Sequence, residues 1–374
     1  MGIPLSKTEI DTRRGKLPRL IAFYLPQYHP IPENDAAWGK GFTEWRNVTQ
    51  AQPRFRGHYQ PHLAGELGYY DLRVPETRAQ QAELARQHGI RAFCYYHYWF
   101  NGKPLLEKPF RQVLESQTPD FPFCLCWANE SWTRAWDGRT DRTLLEQTYS
   151  EQDDLTHIRQ LARAFSDPRY TRIQNKPLFL VYRANKLPDA RRTTDSWRAE
   201  CQRLGIGDLF LARVESFDDE HTDPRALGFD AAVEFAPDWL LLNEPLRRGR
   251  FWRWATRARF SSRAYQTERV YAYAALVKQS LAKSEPPYLR FPGVTPMWDN
   301  SARRKTGSVI LKNSTPALYE QWLSAVVTKT RARAPHEQII FINAWNEWAE
   351  GNHLEPDARH GRAYLEATRR ALRA

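Results

Sequence analysis

The sequence predicts an α/β protein folded as a single (β/α)8 TIM-type barrel with long loops after its strands. Three observations lead there. Eight short runs rich in β-branched and aromatic residues recur along the chain, and stretches of helical period lie between them. The runs are close to continuously apolar, as parallel strands covered on both faces are. No Gly-x-Gly-x-x-Gly or Walker A sequence follows any run, which argues against the alternative, an open doubly wound nucleotide-binding sheet. No low-complexity linker divides the 374 residues. Residues 1–18 therefore read as an N-terminal tail and 19–374 as one barrel domain, with a basic aromatic loop at 245–265.

The first run is Leu20 to Leu25, ended by Pro26. A helix is predicted from Pro75, a favourable first position, to His88, with Gly89 as its stop. The remaining runs are Ile90 to Tyr96, Phe121 to Trp127, Pro177 to Tyr182, Asp208 to Val214, Asp230 to Phe235, Phe291 to Met297 and Gln338 to Ala344. Between them Leu155, Ile158, Leu161, Ala162 and Phe165 mark one apolar helix face, and Leu318, Trp322 and Val326 mark another. Thr315 and Pro316 read as the N-cap and first position of the latter.

Composition narrows the function. Hydrophobic residues at 41% and charged residues at 26% exclude a disordered chain. Aromatics reach 13%, and Trp and Tyr carry polar groups that need partners, which points to an aromatic-lined groove. The 55 basic against 43 acidic residues leave a net charge of +12 and a preference for anionic partners. Four cysteines, Cys94, Cys124, Cys126 and Cys201, form no disulfide framework and read as buried thiols of a reducing compartment. No leader or membrane-spanning run is visible, and Met1-Gly2 with Ser6 matches a myristoylation pattern that Pro4 argues against. The expectation is a soluble cytoplasmic protein, with peripheral contact at the inner membrane as an option.

In a barrel the site lies at the C-terminal strand ends, and these ends are loaded. They carry Tyr24, Gln27, Tyr28 and His29; Tyr96, His97 and Trp99; Trp127, Asn129 and Glu130; Arg183; Glu234; Trp298; and Asn346 with Trp348. Flat aromatic faces beside amide, imidazole and carboxylate groups suit a polyhydroxylated sugar. The sharpest feature is Glu347 and Glu350, three residues apart on one tight turn. Two close carboxylates drive their pKa values apart, which equips a pair to make or break a glycosidic bond. The alternative is that one of them caps the last helix or pairs with an arginine such as Arg359.

No metal or cofactor is expected. His58 and His62 have the spacing of a helical zinc pair, but Pro61 lies between them. Asp218-Asp219-Glu220 reads as a solvated acidic loop rather than a cation site. The stretch from Arg247 to Arg263 sets Arg247, Arg248, Arg250 and Arg253 among Trp252 and Trp254 without an acidic residue. It is expected as a long loop on the active-site face, before a helix beginning near Gln266, touching an anionic membrane or a diphosphate rather than nucleic acid, with a merely solvated, Arg-rich helical face as the alternative.

Several blocks then carry a family resemblance. Phe23-Tyr24-Leu25-Pro26-Gln27-Tyr28-His29, Gly41-Phe42-Thr43-Glu44-Trp45, Gly57-His58-Tyr59-Gln60-Pro61, Tyr95-Tyr96-His97-Tyr98-Trp99, Trp127-Ala128-Asn129-Glu130 and Asn343-Ala344-Trp345-Asn346-Glu347-Trp348-Ala349-Glu350-Gly351 resemble the WbsX-type glycosyltransferase family. That family is related to glycoside hydrolase family 99, the endo-α-mannosidase group. The resemblance runs from about Arg19 to the C-terminus and adds Trp45 and His58 to the expected sugar contacts. It implies a (β/α)8 barrel working in bacterial O-antigen or capsule synthesis on a glycan acceptor and a nucleotide-sugar donor. By the same likeness Glu350 is the general acid/base at the glycosidic oxygen. Glu347 either assists the sugar 2-hydroxyl or acts as nucleophile or base at the anomeric carbon. The hydrolases tend to carry His where this chain has Ala349, which turns the expectation from hydrolysis toward transfer. A retaining endo-glycoside hydrolase and a non-catalytic glycan-binding barrel are the alternatives.

Overall fold

The computed structural model describes residues 17–134, 139–216 and 221–374. The acidic stretch Asp218-Asp219-Glu220 and the N-terminal Met1-Gly2 pattern lie outside the described residues. The barrel strands are β1 (Arg19–Tyr24), β2 (Ile90–Phe100), β3 (Phe123–Trp127), β4 (Lys176–Val181), β5 (Phe210–Glu215), β6 (Ala231–Glu234), β7 in two pieces (Arg290–Phe291 and Gly293–Val294) and β8 (Ile339–Ile342). Each pairs in parallel with its neighbour, and β8 returns to β1, so the sheet closes into a ring. Leu20 lies opposite Ile90 on one side and Ile340 on the other.

Strand β7 is split by Pro292, which has no N–H to give the ladder. Its first piece pairs with β6 and its second with β8, and the Pro292 carbonyl still accepts the Phe341 N–H at 2.9 Å. Next to the break a side chain has no room. A Cβ on Gly293 would stand 2.1 Å from the carbonyl oxygen of Glu234.

The apolar runs become a core. Leu20, Ile21, Phe23, Leu178, Phe179, Val233, Ile340 and Phe341 are fully buried, and all four cysteines are buried free thiols. The helix expected from Pro75 runs Pro75–Gln87 with His88 as its cap. The two amphipathic patterns are helices Glu151–Phe165 and Pro316–Arg331, which bury Ile158, Leu161 and Phe165, and Trp322 and Val326. Thr315 caps the latter by accepting the Leu318 N–H. No helix of the described residues is long and apolar enough to cross a membrane.

Most strand ends shift by one or two residues from expectation, and three departures have a clear physical reason. Strand β2 continues past Tyr96 to Phe100 because Tyr98 to Phe100 fold back on Lys103–Leu105, through Asn101 and Gly102 at φ 44° and 82°. Strand β3 begins at Phe123, since Pro122 cannot donate to the ladder. The helix expected near Gln266 is one turn, Ala264–Thr267. After it Arg269–Ala272 forms a strand against Val309–Lys312, because Val270 and Tyr271 bury better against Ile310 and Leu311 than in a surface helix. Helix Tyr273–Ala282 then follows. The basic stretch, too, is no open loop but contains helix Arg250–Arg257.

Gly293→Ala should cost about 1–3 kcal/mol, the usual penalty of an overpacked site. Guanidinium denaturation reads this as a lower midpoint; an unchanged midpoint would disprove the close approach.

Candidate active site

The C-terminal strand ends enclose a cavity of about 880 Å3. Glu347 and Glu350 lie in its wall, on the chain that leaves β8. A short antiparallel pair, Asn346–Glu347 against Asn352–His353, pinches this segment into a single 3-10 turn, Trp348–Glu350. Gly351 closes the turn at φ +53°, with room for no side chain: a Cβ there would lie 2.9 Å from the Asp299 side chain. Asp299 in turn donates its N–H to the Glu350 carbonyl at 2.7 Å, tying the turn to the loop after β7.

One guanidinium organises the carboxylates. Arg303 reaches Glu347 Oε2 at 3.0 Å through Nη2, Glu350 Oε1 at 2.7 Å through Nη1, and Glu44 Oε2 at 3.0 Å through Nε. Burial opposes the charge on Arg303, but Glu44, Glu350 and Glu347 outweigh it and hold its pKa well above the usual arginine value. Burial pushes Glu347 up to about 8. Arg303 pulls against this, while Glu350 and Glu44 add to it. Burial likewise raises Glu44. One cation faces three carboxylates, and at the two that are buried, Glu44 and Glu347, burial outweighs it and favours the protonated form. The sequence alternative of a glutamate paired to an arginine holds in a different form, since one arginine takes both. Arg359 lies over the Tyr59 ring instead.

Of the expected contacts, the structure brings Gln27, Tyr96, Glu130, Arg183 and Trp298 to the cavity wall together with the two glutamates. The others lie behind it. The Asn346 side chain clamps the Leu25 backbone, accepting its N–H at 2.7 Å and donating to its carbonyl at 3.0 Å. Tyr28 donates its hydroxyl to the Asn346 carbonyl and accepts the Trp348 N–H, and Trp45 packs against both Tyr28 and Trp348. Asn129 bonds the backbone of Arg183, whose guanidinium meets Glu130 at 2.7 Å. His58 is buried against Asp299 at 2.5 Å. Tyr24 donates to Gln81, Trp99 to Asp153, and His97 meets His157 at 2.9 Å. Trp127 and His29 are buried too. Glu234 faces Lys283 and accepts the Gly293 N–H. These side chains hold the wall in place rather than forming it.

None of Arg247, Arg248, Arg250, Trp252, Arg253 and Trp254 lines the cavity. The Arg247 guanidinium covers the rings of Trp252 and Tyr265, and Arg248 donates to the Glu268 carbonyl.

Sequence reasoning missed Arg303 and Glu44 as site residues, and with them the wall residue Trp239, whereas Tyr98 and Trp132 belong to the loaded ends of the second and third strands. Position carried a signal for one: Arg303 follows the strand-end pair Trp298-Asp299 by four residues.

Among the described residues, one cluster has metal-ligating character: His62, His353 and Asp357, with ligand atoms within 4.8 Å of one another. Its nitrogens serve each other. His353 Nδ1 donates to the Glu355 carbonyl at 3.0 Å, which leaves Nε2 to accept from His62 Nδ1, also at 3.0 Å. Burial lowers both imidazoles' pKa values and keeps the pair neutral.

The family model described as glycosyltransferase WbsX matches residues 20–368. WxcX of Xanthomonas campestris pv. campestris, in strains B100 and ATCC 33913, is 48% identical over 354 residues, 94% of this chain and 49% of WxcX. The chain thus spans about half the length of the curated relatives it matches. Among solved structures, a glycoside hydrolase-like protein superposes with TM-score 0.58 at 14% identity, over 100% of this chain and 97% of the other. The GH99 endo-α-mannosidase of Bacteroides thetaiotaomicron gives 0.57 at 15% identity, over 95% and 96%. These likenesses establish the shared barrel fold.

The raised pKa of Glu347 has a sign. The folded protein holds its proton up to about pH 8 while the unfolded chain releases it near the ordinary glutamate value. The stability this group contributes is therefore complete below about pH 4.5 and falls as pH rises through about 8. Melting temperatures measured across that window should decline in the parent and decline less in Glu347→Gln; parallel curves would refute the assignment.

Proposed function

Because the chain belongs to the WbsX glycosyltransferase family, we propose that it forms a glycosidic bond in bacterial cell-surface polysaccharide synthesis, of the O-antigen or capsule kind. The observation that carries this reading is Glu347 and Glu350 under one guanidinium in the wall of an aromatic cavity. Tyr96, Trp132, Trp239 and Trp298 offer faces on which the C–H faces of a sugar stack, and about 880 Å3 accommodates a ligand of several sugar units.

In transfer, the anomeric carbon bonds to an acceptor hydroxyl oxygen as its bond to the donor's leaving oxygen breaks. The leaving group departs with the bonding electrons, and the acceptor's proton goes to Glu350. Glu350 is the more open of the pair, with its side chain 21% exposed against 7% for Glu347. Glu347, protonated up to about pH 8, is suited to donate a hydrogen bond to a sugar hydroxyl, since a nucleophile would have to ionise first.

The same glutamate pair supports a second reading, a retaining endo-glycoside hydrolase. Position 349 weighs against it. Where the hydrolases tend to carry histidine, this chain has a fully buried alanine with no polar group to offer.

A peripheral contact with anionic lipid on the cytoplasmic face fits helix Arg250–Arg257 and the residues after it. Phe251, Trp254 and Phe260 are 64%, 58% and 78% exposed and touch ring to ring. Arg250, Arg253, Arg257 and Arg259 flank them with no ion pair among the described residues. Aromatic faces rimmed by arginine match the interface of an anionic bilayer.

Purified protein incubated with nucleotide sugars and short acceptor glycans should release nucleoside phosphate only when acceptor is present, and Glu350→Gln should abolish it. New reducing ends from acceptor alone would establish the hydrolase instead. Vesicles of phosphatidylglycerol should sediment the protein, less so at high salt, and the triple change Phe251→Ser, Trp254→Ser, Phe260→Ser should cut this at least tenfold. Equal sedimentation would refute the membrane contact.

A further inference from the structure

We propose that the substrate of this cavity carries a phosphate or diphosphate, bound by Arg269 and Arg304 in the cavity wall. The inference rests on the carbohydrate reading above and adds to it the wall residues that would hold the phosphoryl group of the sugar substrate.

The wall contains four arginines and three carboxylates. Arg183 is committed to Glu130, and Arg303 to Glu347 and Glu350. Every carboxylate in the wall is thereby taken. Arg269 and Arg304 remain, and among the described residues neither makes an ion pair or a side-chain hydrogen bond. Arg269 is exposed and Arg304 half-buried, and both line the cavity with their guanidinium donors uncommitted among the described residues. A phosphoryl group answers both, because guanidinium donors match its oxygens in pairs.

The backbone segments that bear the two arginines are fastened to each other. Arg54 donates to the Arg304 carbonyl, pairs with Glu268 at 2.7 Å, and bonds Ser308 at 3.1 Å. Half-buried Arg54, with buried Glu268 and Ser308, therefore holds the segment that bears Arg304 against the residue before Arg269. Backbone bonds from Arg269 to Ser308 and from Gly307 to Thr267 fasten the same two segments. Glu268, the nearest acid in sequence to Arg269, is spent on Arg54 and on the Ser308 N–H at 2.7 Å. It cannot quench Arg269. A second hollow of about 410 Å3 shares Arg303, Arg304 and Trp38 with the main cavity and adds Lys305. The positive strip thus continues out of the sugar site along a path that a diphosphate and its substituent can follow.

This places the phosphate contact elsewhere than the arginines expected from sequence. Arg247 and Arg248 are engaged with Trp252, Tyr265 and the Glu268 carbonyl, outside the cavity.

Isothermal titration with inorganic pyrophosphate, UDP, GDP and geranyl diphosphate tests the proposal on the full chain. Pyrophosphate should bind, and Arg269→Gln with Arg304→Gln together should weaken it at least tenfold with the melting temperature unchanged. Arg304→Lys should retain part of the affinity, which guards against a misfolded double variant. Tighter binding of UDP or GDP assigns the group to a nucleotide-sugar donor; tighter binding of geranyl diphosphate assigns it to a lipid-linked acceptor. Equal pyrophosphate affinity in the double variant, or binding of glucuronate but not pyrophosphate, would overturn the proposal. Acceptor-dependent turnover that survives in the double variant would overturn this inference while leaving glycosyl transfer intact.

Discussion

The carboxylates at the mouth of this barrel are arranged around one arginine, Arg303, whose side chain is only 10% exposed. Arg303 comes from the segment after β7, Glu347 and Glu350 from the turn after β8, and Glu44 from the loop after β1. Three chain segments that are far apart in sequence meet at one planar guanidinium. Its fork geometry sets where each carboxylate points, and a lysine's single ammonium could not do the same. The cost is a cluster with more acid than base in a dry place. Burial, with Glu350 and Glu44 nearby, favours the protonated form of Glu347.

The aromatic surplus has two uses. Some rings, such as Tyr96, Trp132, Trp239 and Trp298, face the cavity. Others form a layer beneath the glutamate turn, where Tyr28, Trp45 and Trp348 pack on one another and Tyr28 bonds the backbone on either side of Glu347. Their polar atoms are occupied as well: Trp45 bonds the Tyr70 carbonyl and Trp348 bonds the buried Glu355. A turn held from below by rings and from the side by Arg303 has little freedom to drift, which is what positioning a sugar within reach of two carboxylates demands.

The charge divides similarly. One basic group lies on the outside, at helix Arg250–Arg257, beside exposed Phe251, Trp254 and Phe260. Another lies in the wall itself, at Arg269 and Arg304. Composition alone could not separate them, because both add equally to a net +12. The two groups face different surroundings, the first outside the cavity and the second in its wall.

The sequence by itself determined the barrel. Eight near-continuous apolar runs at helix-separated spacing leave closure as the simplest way to bury them on both faces, and the structure closes them into a ring. It also determined that strand ends carry polar and aromatic chemistry, and that Glu347 and Glu350 share one turn, since both facts depend only on local order. The Asn101-Gly102 turn was legible too and went unread. Tertiary structure decided which of those residues touch open space. Gln27 and Tyr96 face the cavity while Tyr28 and His97 lie behind it, although each pair is adjacent in sequence. Strand alternation, loop path and the packing of neighbours choose between the two, and none is visible in a single stretch of sequence. Only the fold could reveal Arg303, because an arginine becomes the centre of a site through the three distant carboxylates that surround it.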